Sequence, residues 1–241
     1  MKIVTWNCKM KFREDHKLVF PLNPDIVVIP ECEELDTVDF GDYSKTISDT
    51  YWIGDNSQKG LGIVTFNGFK ISLYHGYDDR YKFILPLVIT KNNLSYNLIG
   101  VWTQMIGKKT KDHKNYIRQF KLSMNQYDSF IRPKNSIILG DFNSNLIWEN
   151  PRRIDSDHKY VVEELQKKDI SSSYHHFFNE EQGEETRPTF YYHHKKGKPF
   201  HIDFCFLSKN LIDKLTHVEI GCFEDWSQTS DHVPMIIEMD D

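Results

Sequence analysis

Short apolar runs bounded by polar or turn residues dominate the chain, and runs of this length predict strands. They fall at residues 2–6, 25–29, 62–66, 70–74, 83–90, 96–103 and 136–139. Four more follow at 189–193, 201–207, 217–222 and 234–239. Two stretches break this pattern. Over 112–131, Ile117, Phe120, Met124, Tyr127 and Ile131 recur at three- and four-residue spacing before Pro133, which predicts a helix and its stop. Over 157–168, Tyr160, Val161, Glu164 and Leu165 predict a second helix ending in lysines. A short third helix is expected over 11–20, before Pro21. Strands outnumber helices, and 62–66 with 70–74 have hairpin spacing, so largely antiparallel sheets flanked by helices are expected. No Pro/Gly/Ser linker and no internal repeat divides the chain, which predicts one domain over 1–241. Residues 180–188 read as an exposed loop within it.

Composition supports a folded chain: 241 residues, 14% of them aromatic, can bury a substantial core. No apolar run approaches the roughly 18–20 residues needed to cross a bilayer. The N-terminus enters a strand pattern at once, without an apolar leader segment, which predicts a cytoplasmic protein with no membrane partner. Cys8, Cys32, Cys205 and Cys222 show no C-x-x-C spacing, and each lies in or beside an apolar run. Buried free thiols are expected, not a zinc site or a disulfide framework.

Thirty basic residues against 35 acidic ones give a net charge of −5, which excludes a protein held on nucleic acid by bulk charge. The distribution says more. Basic residues gather at 108–114, at Arg152-Arg153 and at 193–198. Acidic ones gather at Glu31, Glu33, Glu34, Asp36 and Asp39, and at Glu180, Glu181, Glu184 and Glu185. Each such run taken alone is an ordinary solvated surface.

One pattern recurs along the chain. Residues able to bind a metal or phosphate stand at the ends of apolar strands. Asn7 follows the first run, Glu31 the second, and Asp141 and Asn143 follow Ile137-Ile138-Leu139-Gly140. Asp203 lies within 201–207, and Asp231-His232 precedes the last strand. Strand ends commonly converge on a ligand cleft. Hard oxygen donors there suit Mg²⁺, which takes one or two carboxylates with waters and substrate phosphate. Singly, these are ordinary turn residues. In Gly140-Asp141-Phe142-Asn143, however, an acid and an amide stand two apart directly behind a strand.

Thr5-Trp6-Asn7, Pro30-Glu31, Gly140-Asp141-Phe142-Asn143, His201-Ile202-Asp203 and Ser230-Asp231-His232, in that order, make the chain resemble the endonuclease/exonuclease/phosphatase superfamily of DNase I-like nucleases and abasic-site endonucleases. The resemblance covers essentially the whole chain. It implies an α/β (α+β) fold, a four-layer sandwich of two mixed, mainly antiparallel β-sheets flanked by helices. It also implies a divalent-metal-dependent hydrolase of phosphate esters using Mg²⁺, with Mn²⁺ as a substitute. Glu31 is then the main metal ligand, with Asn7 and Asp231 beside it. Asp141 orients or deprotonates the attacking water, and Asn143 holds that water or a phosphoryl oxygen. His232 contacts the phosphate, with Asp203 behind its imidazole. Tyr116, in Asn115-Tyr116-Ile117-Arg118, resembles an active-site tyrosine of the abasic-site enzymes.

The chain departs from both well-known branches. Gly100-Val101-Trp102-Thr103-Gln104 carries neither the histidine of DNase I-like enzymes nor the Pro-Asn turn of the abasic-site branch, and Pro30 stands where relatives often have Gln. DNA is the expected substrate, because basic segments lead into Tyr116 and into Asp203, where they can meet backbone phosphates. Tyr191, Tyr192 and Trp226 are candidates for base stacking. The alternative is a phosphoesterase of a nucleotide, sugar phosphate or lipid headgroup. A monomer is the default expectation.

Overall fold

In a computed structural model, which describes residues 1–105, 115–149 and 158–240, the apolar runs form the expected strands with others between them. In chain order these are β1 Lys2–Thr5, β2 Ile26–Cys32, β3 Ile47–Asn56, β4 Lys59–Phe66, β5 Lys70–Leu73, β6 Ile84–Lys91 and β7 Leu94–Trp102. Then come β8 Ser136–Asp141, β9 Ile170–Ser172, β10 Phe190–Tyr191, β11 Pro199–Phe200, β12 Asp203–Ser208, β13 Leu215–Ile220 and β14 Met235–Met239. The main helices are α1 Phe12–Val19, α2 Asn115–Gln126, α3 His158–Gln166 and α4 Ser173–Phe178.

One six-stranded sheet has the order β13-β14-β1-β2-β4-β3, and the other β5-β6-β7-β8-β12-β9. Each contains one parallel pair, β1 with β2 and β7 with β8, among antiparallel ones. The period-two alternation of each strand builds the layers. In β2, Ile26 and Val28 face the core between the sheets, while Val27 and Ile29 face out toward Phe12, Val19 and Phe20 around α1. In β8, Ile137 and Leu139 face in, and Ile138 faces out against Ile117 and Phe120 of α2 and Val161 and Leu165 of α3. The result is the expected four-layer α/β sandwich.

Several local expectations are corrected. β4 and β5 do not form a hairpin: β4 pairs with β2 and β3, whereas β5 opens the other sheet beside β6. The turn between them, with Asn67 at φ 55° and Gly68 at φ 85°, carries the chain from one sheet to the other. Strands β3, β9 and β11 had no apolar run to announce them. α2 ends at Gln126, yet Tyr127, Phe130 and Ile131 stay buried in the turns that follow. Glu33 belongs to no solvated surface. It is buried and accepts the Phe12 N–H at 2.9 Å, satisfying a free donor at the start of α1. Glu185 likewise turns inward from the 180–188 loop, its side chain only 3% exposed. Cys8, Cys32 and Cys205 are buried thiols, but Cys222 is exposed. Residues 108–114, Arg152-Arg153 and Asp157 lie outside the described residues. No helix among the described residues is long and apolar enough to cross a membrane.

Strand direction gathers the chemistry at one end of the sandwich. An Asn7–Asp141 hydrogen bond brings the C-terminal ends of β1 and β8 together. Their parallel partners place Glu31 and Trp102 at that end. The antiparallel neighbours β14, β12 and β4 begin there, bringing His232, Asp203 and Lys59.

Candidate active site

Gly140 sets the centre of the site. Its φ is +141°, and a Cβ there would stand 1.9 Å from the Val101 carbonyl oxygen, so no other residue lets β8 close on β7. Asp141 follows, 1% exposed. Its Oδ1 accepts the Asn143 backbone N–H at 2.8 Å, and its Oδ2 accepts from the Asn143 and Asn7 side-chain amides at 2.9 and 3.0 Å. Asn143 is in the left-handed region, φ 47°, which asparagine tolerates better than most residues. These donors compensate a buried carboxylate only in part. Burial, with the charge of Asp203 opposite, pushes Asp141 up to about 7, against the lowering effects of His232, Asn7 and Asn143.

Asp203 is the cross-strand partner of Asp141. Its Oδ2 accepts from His232 Nδ1 at 2.8 Å, while its Oδ1 is buried without a hydrogen-bond partner among the described residues. His232 is fixed along its backbone. Its N–H donates to Ser230 Oγ at 3.0 Å, its carbonyl accepts from Trp6 Nε1 at 3.0 Å, and the Ser230 hydroxyl donates to the Asn7 carbonyl at 2.7 Å. Burial alone would lower the imidazole pKa. The charge and hydrogen bond of Asp203 outweigh it, and His232 rises to about 9. At neutral pH the ring is a cation whose Nδ1–H is committed to Asp203, leaving Nε2–H to donate elsewhere.

Asn7, Asp141, Asn143, Asp203 and His232 are thus one connected network. Glu31 and Asp231 flank it differently. Glu31 stands at a bulge in β2, where the register breaks between Pro30 and Cys32 and its own φ is 58°. Its Oε2 is 3.0 Å from Lys59 Nζ. Asp231 Oδ2 accepts from Lys9 Nζ at 3.0 Å. Tyr116, in the first turn of α2, is half-buried; burial first, then the charges of Asp141 and Glu31, raise its pKa and keep the phenol a donor. Lys9 and Lys59 belong to no motif in the sequence. Lys9 had a faint signal, two residues after Asn7. Lys59 had none, because it arrives through the pairing of β4 with β2.

Carboxylate and amide oxygens predominate here, and the unpartnered Asp203 Oδ1 adds another acceptor, so the donor set fits a hard divalent ion. Asp141, Asp203 and His232 offer atoms all within 4.8 Å of one another. Hydrogen bonds explain that compactness. All three are buried, and Nδ1 is already used, whereas a magnesium ion keeps several waters. Glu31 and Asp231 are the less buried carboxylates of the site, with side chains 21% and 19% exposed, while Asn7 is buried and its Oδ1 accepts the Lys9 N–H at 3.1 Å.

The expected base-stacking residues divide. Tyr191 is buried, Trp226 packs edge-on against Trp6 with centroids 5.0 Å apart, and Tyr192 is 45% exposed. Of residues 193–198, His194 reaches the site, meeting Lys9 at 2.8 Å, whereas Lys196 pairs with Glu224.

No protein-family model and no curated protein sequence matches the chain. Solved structures do. An AP endonuclease from Archaeoglobus fulgidus superposes with TM-score 0.76 at 14% identity, covering 100% of both chains. The 3'-5' exonuclease NExo of Neisseria meningitidis gives 0.68 at 18% identity, also over 100% of both chains. Truncated Caenorhabditis elegans TDP2 gives 0.68 at 16% identity, covering 98% of this chain and 96% of that one. The chain has the endonuclease/exonuclease/phosphatase, or DNase I-like, fold.

Proposed function

We propose that the chain is a divalent-metal-dependent phosphoesterase, and specifically a nuclease that hydrolyses DNA phosphodiester bonds. The observation that carries this reading is the His232–Asp203 pair set against Asp141, which Asn7 and Asn143 hold. Hydrolysis of a phosphate ester needs a base for water, positive charge on the phosphoryl oxygens and a proton for the leaving oxygen. Asp141, raised toward neutral pH, takes the proton of the attacking water, which Asn143 orients. The imidazolium of His232 donates to a phosphoryl oxygen, kept charged and aligned by Asp203. The Tyr116 phenol donates to a phosphate oxygen or to the leaving group. Asn7, Glu31 and Asp231 would hold Mg²⁺ or Mn²⁺, which supplies countercharge to the phosphate.

The fold is shared with an AP endonuclease and an exonuclease, and the Neisseria 3' phosphatase NExo has been solved bound to product DNA hairpin. These neighbours support a DNA substrate, as does the exposed His194, which meets Lys9 at the site. The net charge of −5 favours the second reading, a phosphoesterase of a nucleotide, sugar phosphate or lipid headgroup. In either case residues 1–241 act as one catalytic domain, a monomer of the cytoplasm.

The test is a hydrolysis screen over plasmid, oligonucleotides and small phosphoesters. Asp141→Asn and His232→Ala should each lower kcat by roughly 10²-fold or more while circular dichroism stays native. EDTA should abolish turnover, and Mg²⁺ or Mn²⁺ should restore it. Near wild-type turnover in either folded variant would sink the assignment. Cleavage of small esters but of no DNA would select the second reading.

A further inference from the structure

Two ammonium groups stand on the two carboxylates just assigned to a divalent ion. Lys59, the first residue of β4, places Nζ 3.0 Å from Glu31 Oε2 and 5.0 Å from the centroid of the Trp102 ring. Lys9, in the turn after β1, donates to Asp231 Oδ2 at 3.0 Å and to His194 Nε2 at 2.8 Å. The two arrangements match in exposure. The carboxylate side chains are 21% and 19% exposed, and the lysines 36% and 37%. Each ammonium therefore meets a carboxylate that is itself partly open to solvent.

Partly exposed pairs of this kind are weak, because water and salt screen them and both long side chains lose freedom. A divalent ion on the same oxygen brings twice the charge and repels the ammonium. The flexible lysine stem lets the charge move by a few ångströms, and the nearest anion at the mouth is then the substrate. Trp102 and His194 are second partners that hold each lysine beside the site after it leaves its carboxylate. The ring face of Trp102 attracts a cation without neutralising it.

We propose that Lys9 and Lys59 are phosphate-binding residues of this site, held on Asp231 and Glu31 until a divalent ion takes those carboxylates and then released to substrate phosphate. This rests on the reading of Glu31 and Asp231 as metal ligands. It gives the chain its own phosphate-binding cations, independent of residues 108–114.

The test needs no turnover. Mn²⁺ affinity is measured by calorimetry and by electron paramagnetic resonance for the full chain and for Lys9→Ala, Lys59→Ala and the double variant. Removing a competing ammonium should tighten Mn²⁺ binding about threefold for each single change and about tenfold for both, the scale of exposed ion pairs. At saturating Mg²⁺, inorganic phosphate should bind the double variant roughly tenfold more weakly, and Lys59→Arg should restore most of the loss attached to Lys59. Mn²⁺ affinity that stays constant or weakens in the variants overturns the proposal, and so does an unchanged phosphate affinity. Both effects in the variants, with a wild-type protein that hydrolyses no phosphoester, would refute the proposed reaction and leave the lysine assignment standing.

Discussion

His158, the first residue of α3, is 1% exposed, with its ring centroid 4.7 Å from that of Phe204. Among the described residues, no hydrogen bond of ordinary geometry reaches either ring nitrogen. Burial pushes its pKa down to about 4, opposed by the charge of Glu185. For Glu185, burial acts upward, but the hydrogen bonds from His175, the Gly183 N–H and Asn145 outweigh it and hold the carboxyl near 2. Both shifts are depressions, so both have the same sign for stability. The His158 contribution is fully present above the ordinary 6.5 and is lost as pH falls toward 4; that of Glu185 is present above 4.5 and lost toward 2. At 1.36 kcal/mol per pKa unit, neutral His158 is worth about 3 kcal/mol. Asp141, raised to about 7, acts with the opposite sign over the same window, so the difference between two proteins isolates the histidine. Between pH 7 and pH 4 the urea midpoint of His158→Phe, which keeps a ring against Phe204, should rise relative to that of the wild type, and a difference that stays constant over this range would contradict the assignment. Asn145 Nδ2 ties Glu185 to the carbonyl of His201, two residues before Asp203.

α2 supports the loop of Asp141, Phe142 and Asn143 from beneath. Phe120 is fully buried, and its ring lies 5.2 Å from that of Phe142, the residue between Asp141 and Asn143. Phe120→Ala should cost about 3–5 kcal/mol in urea unfolding and should lower kcat in the folded enzyme by releasing that loop. Stability loss with kcat unchanged would show that Asp141 and Asn143 hold their positions without α2. The sequence announced α2 and β8 because their buried faces repeat with a single period. It did not announce β3, where Ser48, Asp49, Thr50 and Gly54 interrupt the apolar positions; that strand is an edge held by its ladder to β4. The Asn67-Gly68 turn was legible as a turn, but turn chemistry does not say which sheet the chain enters next. The same limit applied at the site. Gly140-Asp141-Phe142-Asn143 could be read because an acid and an amide share one loop, whereas Lys59 meets Glu31 through strand register, which no short motif records.

Across the whole molecule, the site is divided between the sheets. Asn7, Glu31, Asp231 and His232 come from the end of the sheet containing β1, and Asp141, Asn143 and Asp203 from the sheet containing β8. The Asn7–Asp141 and Asp203–His232 hydrogen bonds therefore cross from one sheet to the other. Their lengths depend on how the side chains between the sheets set the spacing, more than on the outer layers. Leu98 of β7 is fully buried in the core between the sheets, and Leu165 of α3 is equally buried in the outer layer. Leu98→Ala and Leu165→Ala remove the same atoms, and each should cost about 2–5 kcal/mol. Their effects on catalysis should differ. A cavity between the sheets lets them approach or tilt, and a displacement of about 1 Å is enough to cost up to 10²-fold in rate. With both variants folded at the assay temperature, Leu98→Ala should lower kcat roughly tenfold, while Leu165→Ala should stay within about twofold of wild type. Equal losses in the two variants would show that each half-site keeps its geometry whatever the spacing of the sheets.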